Sequence, residues 1–390
     1  MQLQQCGQEL FVMLEVIFWS SVFIIFYTYA GYGMLIVALA AIFRRPITRR
    51  DIEPKVTILI TAYNEEKSIA AKLEDTLGLD YPKEQLEVIV ASDGSSDKTD
   101  DIVRSFQRRG VRLHRVEGRV GKTETQNQAV KIATGEIIIF SDATTTYSRD
   151  AIRMIVRNYA DPQVGAVSGR YEYVNPSGAA VGLGTILFWK YENLIKRLQT
   201  RIQTITGCCG CIYSVRRHLY EPLPLDIISD LVEPLKILEK GYRIAFEPEA
   251  VAYEETTETS KQEFGMRVRV ISRGMYGLLY MRRLFNPLRY GFVSFQLFSH
   301  KVLRWMIPFS LPLLFLSNLL LLGRPFYDIC FVGQTLFYGG ALWGYLLETR
   351  GKKAKIFAVP LYYCVVNAAS VAALFRTIKG KKAVVWETVR

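Results

Sequence analysis

Val56-Thr57-Ile58-Leu59-Ile60 runs into Thr61-Ala62-Tyr63-Asn64-Glu65-Glu66, and the reading of this passage decides the fold. An apolar, β-branched run suited to a buried strand ends in a small, acidic, turn-forming cluster. The pattern returns twice: residues 86–91 lead into Ser92-Asp93-Gly94-Ser95-Ser96-Asp97, and residues 137–140 into Ser141-Asp142-Ala143-Thr144. Helical sequence separates the clusters, so the chain reads as α/β, with a largely parallel sheet covered on both faces. Open sheets of this kind bind ligands at the carboxyl ends of their strands. Three acidic clusters gathered there can grip a ribose, a base and a metal-bound diphosphate.

Outward from these stretches, strands are expected at 56–60, 86–91, 111–116, 137–140 and 164–168, with helices at 65–77, 98–109, 123–133 and 150–159. Asp97 and Ser148 suit helix N-caps, because their side chains can accept from first-turn amides. After Gly169 the period is less regular. Residues 178–184 read as a small-residue loop, 186–198 as a helix carrying Trp189, Tyr191 and Glu192, and 231–239 as a helix ended by Gly241. A short strand at 243–246 precedes Pro248, and a helix at 261–280 brings Arg267, Arg269 and Arg273 near one another.

Of the 390 residues, 50 % are hydrophobic, and they are concentrated at the two ends of the chain. Residues 17–43 form an apolar stretch longer than the roughly 20 residues a bilayer needs. It is too long for a signal peptide and lacks a basic start and a cleavage site, so it reads as a retained anchor. A second block comprises 305–322, 326–347 and 356–375. The expected division is an N-terminal anchor at 1–45, a cytoplasmic catalytic domain at 46–285, and interfacial and transmembrane helices with a basic tail at 286–390.

The formal charge of +12 comes from basic residues beside the apolar segments, as in Arg44-Arg45, Arg49-Arg50, Arg282-Arg283 and residues 350–355 and 376–382. That placement follows the positive-inside bias and attraction to anionic membrane lipid, and it argues against a nucleic-acid partner. The chain therefore reads as a multi-pass protein of the cell membrane. An outside N-terminus and three further crossings would put residues 376–390 outside, against the charge rule. Either one C-terminal segment lies in the interface or re-enters, or the rule fails here. The cysteines crowd into Gly207-Cys208-Cys209-Gly210-Cys211, a small-residue turn rather than a disulfide framework or a four-ligand zinc site.

Taken together and in order, Thr61-Ala62-Tyr63-Asn64-Glu65, Ser92-Asp93-Gly94-Ser95, Gly121-Lys122, Asn127 with Ala129, Ser141-Asp142-Ala143-Thr144 and Ser229-Asp230 resemble the inverting family 2 glycosyltransferases. The similarity extends over most of residues 56–275, and the membrane segments make the chain similar to hyaluronan, chitin and cellulose synthases. The resemblance implies a GT-A-like, Rossmann-type domain and a nucleoside diphosphate sugar donor, most often UDP-linked. It also implies a glycan or lipid-linked acceptor and a divalent cation, magnesium or manganese. By resemblance, Ala62, Tyr63, Glu65 and Asp93 face the nucleotide, while Lys122, in the basic loop from Arg119, and Arg267 and Arg269 meet the diphosphate. Asp142 begins the family's Asp-x-Asp, with Thr144 where the second carboxylate is usual, so the metal ligands would be Asp142 and Thr144. Gly207, Gly210 and Trp189 border the acceptor.

An attacking hydroxyl must lose its proton, and none of the three histidines sits in a motif, so a carboxylate is the natural base. Asp230 matches the last residue of the family's Thr-Glu-Asp, preceded here by Ile228-Ser229. Where processive members carry Gln-x-x-Arg-Trp, this chain reads Met266-Arg267-Val268-Arg269-Val270. Lys301-Val302-Leu303-Arg304-Trp305 comes late and adjoins a membrane segment, so Trp305 is expected to be an interfacial belt residue. These departures favour a short-product or partner-dependent enzyme with partner subunits. The alternative is a non-catalytic nucleotide-sugar-binding subunit of an assembly complex.

Overall fold

A computed structural model describes residues 2–380. Its centre is an eight-stranded sheet in the order β3-β2-β1-β4-β7-β6-β8-β5. β1 (Val56–Ala62), β2 (Leu86–Ser92), β3 (Val111–Arg115) and β4 (Ile137–Asp142) pair in parallel, as their apolar runs predict. β1 is buried along its whole length. Ile58 and Ile60 enter one core and Leu59 the core on the other face, the period-two alternation of a strand covered on both sides.

The second half of the sheet is mixed rather than parallel. β7 (Ile212–Arg216), absent from the sequence expectation, inserts antiparallel between β4 and β6 (Val164–Val174). β8 (Arg243–Glu255) runs parallel to β6, and the two-residue β5 (Thr146–Tyr147) closes the edge. β8 continues through Pro248, past the expected end at 246, because its pairing with β6 shifts register between Ser168 and Arg170. A proline is tolerated at such an irregularity.

Two local expectations are corrected. Ser148 does not cap with its side chain; its hydroxyl accepts from Val251 N at 3.3 Å, whereas Asp97 does accept from Thr99 N at 3.0 Å. Residues 178–184 are mostly helix, since the long helix Ala180–Ile202 begins there. Its small residues serve close packing: a Cβ on Gly182 would lie 2.4 Å from Thr256 Oγ1, and one on Gly184 would lie 2.4 Å from Tyr362 Cβ.

Among the described residues three helical stretches, Gln5–Ile42, Phe292–Leu320 and Lys355–Ile378, are long and apolar enough to cross a membrane. The expected segment at 326–347 is the helix Pro325–Thr349. At one end Tyr327 donates to Glu15 at 2.8 Å; at the other, Glu348 accepts from Ser260 of the sheet domain at 2.8 Å. The last helix, Ala358–Ile378, lies along the domain helix Ser260–Tyr280. Near its start Tyr362 Oη accepts from Arg267 at 3.0 Å, and near its end Thr377 O accepts from Tyr276 Oη at 3.1 Å. Residues 381–390 of the basic tail lie outside the described residues.

Candidate active site

The register sets Ala62 beside Ser92 and Thr61 beside Asp142, so three strand ends finish level with one another. The sequence places neighbours of β1 on both sides, β2 and β4, and the strand order reverses there, the switch point at which α/β sheets open a crevice. Asp93 is fully buried. Its carboxylate accepts from Val120 N at 2.8 Å, Gly121 N at 3.0 Å and Thr125 Oγ1 at 3.1 Å. It therefore anchors residues 118–121 across the strand ends and starts the helix Lys122–Ile132. Gly94, at φ +67°, must be glycine, because a Cβ would lie 2.2 Å from Gly118 O. Arg119 stacks 3.9 Å over the Tyr63 ring, and Glu65 accepts from Ser68 Oγ at 2.6 Å. Ala62, Tyr63, Glu65 and Asp93 thus lie together at the carboxyl ends of β1 and β2.

Between β4 and the helix Ser229–Glu239 the charged groups converge. Lys122 forms an ion pair with Asp142. Asp230 sits in the first turn of its helix, with its backbone carbonyl accepting from Cys208 N at 2.9 Å. Burial raises the Asp230 carboxyl above the ordinary aspartate range; Lys122 and Arg273 oppose that shift and Asp142 adds to it. Burial alone would lower the Lys122 ammonium, but Asp142 and Asp230 outweigh it, so Lys122 is raised and charged. Gly210 packs against the carboxylate: a Cβ there would lie 2.9 Å from Asp230 Oδ2.

The arginines divide differently from expectation. Arg267 donates to Glu263 at 2.7 Å and to Tyr362 Oη at 3.0 Å, so its fork is engaged at the last helix. Arg273, one turn beyond Arg269, is the arginine that reaches the Asp230 cluster. It donates to Thr123 Oγ1 at 3.0 Å and Ile227 O at 2.6 Å. Its i,i+4 spacing from Arg269 was the available signal.

Gly207 borders Leu231 beside the Asp230 turn, and Trp189 packs 4.7 Å from Tyr171. Glu192 is buried and accepts from Arg304 Nη1 at 2.6 Å. Trp305 is not a belt residue. A Cβ on Gly274 would lie 3.1 Å from its ring, and it packs against the core that contains Leu231.

Thr144 follows Asp142 in the turn after β4. Among the described residues no group of three His, Cys, Asp or Glu side chains gathers to hold a metal. One carboxylate at a strand end fits a magnesium-type ion, which takes few protein ligands beside phosphate oxygens and water.

Residues 57–223 match the family described as glycosyl transferase family 2. This segment is a family 2 glycosyltransferase domain. The match covers the strand ends, Lys122 and Asp142, and stops just short of Asp230. A protein of Bacillus subtilis (strain 168), described as probable glycosyltransferase YdaM, is 28 % identical over 290 residues, 71 % of this chain and 68 % of its own length. The poly-beta-1,6-N-acetyl-D-glucosamine synthase of Staphylococcus aureus (strain COL) is 30 % identical over 247 residues, 60 % of this chain and 58 % of that protein. The chain thus spans less than two thirds of that relative. The mannosyltransferase PcManGT from Pyrobaculum calidifontis, solved with GDP-Man and Mn2+, superposes with a TM-score of 0.73 at 22 % identity, over 95 % of this chain and 100 % of its own. That likeness establishes a shared GT-A-like fold, and the family match with the glycosyltransferase relatives makes the protein a glycosyltransferase.

Proposed function

We propose that this glycosyltransferase is embedded in the membrane and transfers a sugar, with inversion, from a nucleoside diphosphate donor, UDP-linked, to a hydroxyl of a saccharide or lipid-linked acceptor in glycan assembly. The observation that carries the reading is the cluster of alternating charge in which Asp142, Lys122, Asp230 and Arg273 meet at the strand ends. The likeness to a polysaccharide synthase supports glycan assembly.

The strand-end group of Ala62, Tyr63, Glu65 and Asp93 receives the nucleoside, with Arg119 on the Tyr63 face. Asp230 accepts the proton of the acceptor hydroxyl as its oxygen attacks the anomeric carbon. The bond from that carbon to the diphosphate oxygen breaks on the opposite face, and its electron pair leaves on the diphosphate. Lys122 exchanges Asp142 for phosphate oxygens and meets the developing charge. Arg273 ties the Asp230 turn to Thr123 and favours the ionised base. Asp142, with Thr144 adding a neutral oxygen, would hold a divalent cation, which supplies charge neutralisation on the leaving diphosphate.

The test is release of nucleoside diphosphate by the purified chain in lipid, offered UDP-, GDP- and dTDP-sugars with magnesium or manganese. Release from one UDP-sugar, lost in Asp230→Asn, is expected. Release from a GDP- or dTDP-sugar alone overturns the UDP assignment, and undiminished release by Asp230→Asn overturns the base.

A further inference from the structure

The two helices that flank the glycosyltransferase domain each contain one π-helical turn, Tyr27–Gly31 and Phe298–Val302. The turns face each other, with Tyr27 Oη and Ser299 Oγ 2.9 Å apart. Such turns widen a helix and re-aim its side chains, and they collect at functional sites. Here the second turn contains Lys301, and Asp230 is among the charges that act on its ammonium. The Lys301 Nζ lies 3.9 Å from where a Gly207 Cβ would be, and Asp230 flanks Gly210 three residues further on. Glycine at both positions therefore keeps side chains out from between an ammonium and the base.

The charges on this side of Asp230 do not balance. Lys196, Lys301 and Arg304 surround one carboxylate, Glu192, which Arg304 and His300 already engage at 2.6 and 3.1 Å. Lys196 has a thiol partner, Cys209 Sγ, at 3.1 Å. Lys301 interacts with its charged neighbours only at a distance, and the Arg304 Nε and Trp189 Nε1 are buried without partners among the described residues. A half-buried surplus of positive charge is costly unless an anion completes it.

We propose that Lys301 binds a phosphate of the acceptor, so that the enzyme takes a phosphate-bearing, lipid-linked saccharide whose sugar hydroxyl then faces Asp230. The inference rests on the proposed function and goes beyond it, naming the acceptor class and a binding residue outside residues 57–223. The lipid of such an acceptor stays in the bilayer, its phosphate meets Lys301 at the domain end of the span, and its sugar crosses the glycines to the base. A lysine is suited to this as a compact point charge for phosphate.

The test uses the full chain in lipid nanodiscs with two probes, a farnesyl-diphosphate-linked hexosamine and the octyl glycoside of the same hexosamine. Binding of each is measured directly, and KM for each is measured with the donor that supports release. Lys301→Met is expected to weaken the diphosphate probe roughly tenfold, the scale of one charge-assisted hydrogen bond, and Lys301→Arg to restore most of it. The octyl glycoside is expected to bind the wild type and Lys301→Met alike. Equal weakening of both probes would reveal a role through Asp230 or the fold, and equal binding of the diphosphate probe by both proteins would remove the site; either result overturns the proposal. Because binding is read without turnover, failure of this site is separate from failure of the transfer reaction, which shows as no nucleoside diphosphate release from the wild type.

Discussion

Asp230 carries opposing influences that a single substitution separates. As the proposed base it must be ionised, so activity is expected to be lost as pH falls through its folded-state pKa, which burial holds above the ordinary value. Lys122 is the largest influence opposing that shift. Lys122→Met removes a charge that favours the carboxylate, and the acidic limb of the kcat/KM profile is therefore expected to move up by about one pH unit, besides a fall in maximal rate. A pH–rate profile of the variant decides the matter: a limb that stays in place would mean that another group controls it. At this scale the sequence was informative where chemistry is local. Asp142, Lys122 and Asp230 lie in short motifs, and the structure brings them together. Arg273 and Lys301 were given no role and Trp305 was placed in the membrane interface, because their place depends on how a helix pair and an apolar helix dock 30 to 75 residues after Asp230, which no local spacing encodes.

The strands of the nucleotide half were legible because each is buried on both faces and reads as an unbroken apolar run. β7 was hidden: it follows a loop, is short, and earns its place by antiparallel pairing with β4 and β6. The helix Ala180–Ile202 was shortened for a related reason, since the glycines at its start look like loop residues until their neighbours are known. Gly184 supplies the test at this scale. Its Cβ would lie 2.4 Å from Tyr362 Cβ and 3.1 Å from Ala358 O, and backbone and a ring base cannot move aside cheaply. Gly184→Ala improves helix propensity by about 1 kcal/mol in an exposed helix. Here overpacking of about 1–3 kcal/mol is expected to win and lower the thermal midpoint in detergent. A higher midpoint would mean that the last helix yields easily, and that its seat on the domain is soft.

At the scale of the molecule, hydropathy and packing identify different helices as the crossings. Hydropathy favours Lys355–Ile378 and passes over Pro325–Thr349. Packing reverses the choice. Pro325–Thr349 joins Tyr327, beside Glu15 near the start of the first helix, to Glu348, bonded to the domain residue Ser260. At 25 residues and ~1.5 Å per residue it is long enough for the hydrocarbon core. Ala358–Ile378 instead touches the one domain helix Ser260–Tyr280 near both ends, through Arg267 with Tyr362 and Tyr276 with Thr377. Its middle also meets the first helix and Pro325–Thr349, through Asn367 with Tyr29 at 3.4 Å and Tyr363 with Phe337, so a position along the membrane face, under the spans, is the expected one. Three crossings are therefore expected, at the first helix, Phe292–Leu320 and Pro325–Thr349, with Gly380 on the side of the catalytic domain. That arrangement would also remove the conflict with the basic residues Arg376 and Lys379, which would stay with the other arginine clusters. A fluorescent reporter fused after Arg390 is expected to be shielded from proteases in spheroplasts and to be digested in inverted vesicles, together with the catalytic domain. Digestion of the reporter in spheroplasts, with the domain still protected, would make Ala358–Ile378 a true span and return the charge conflict.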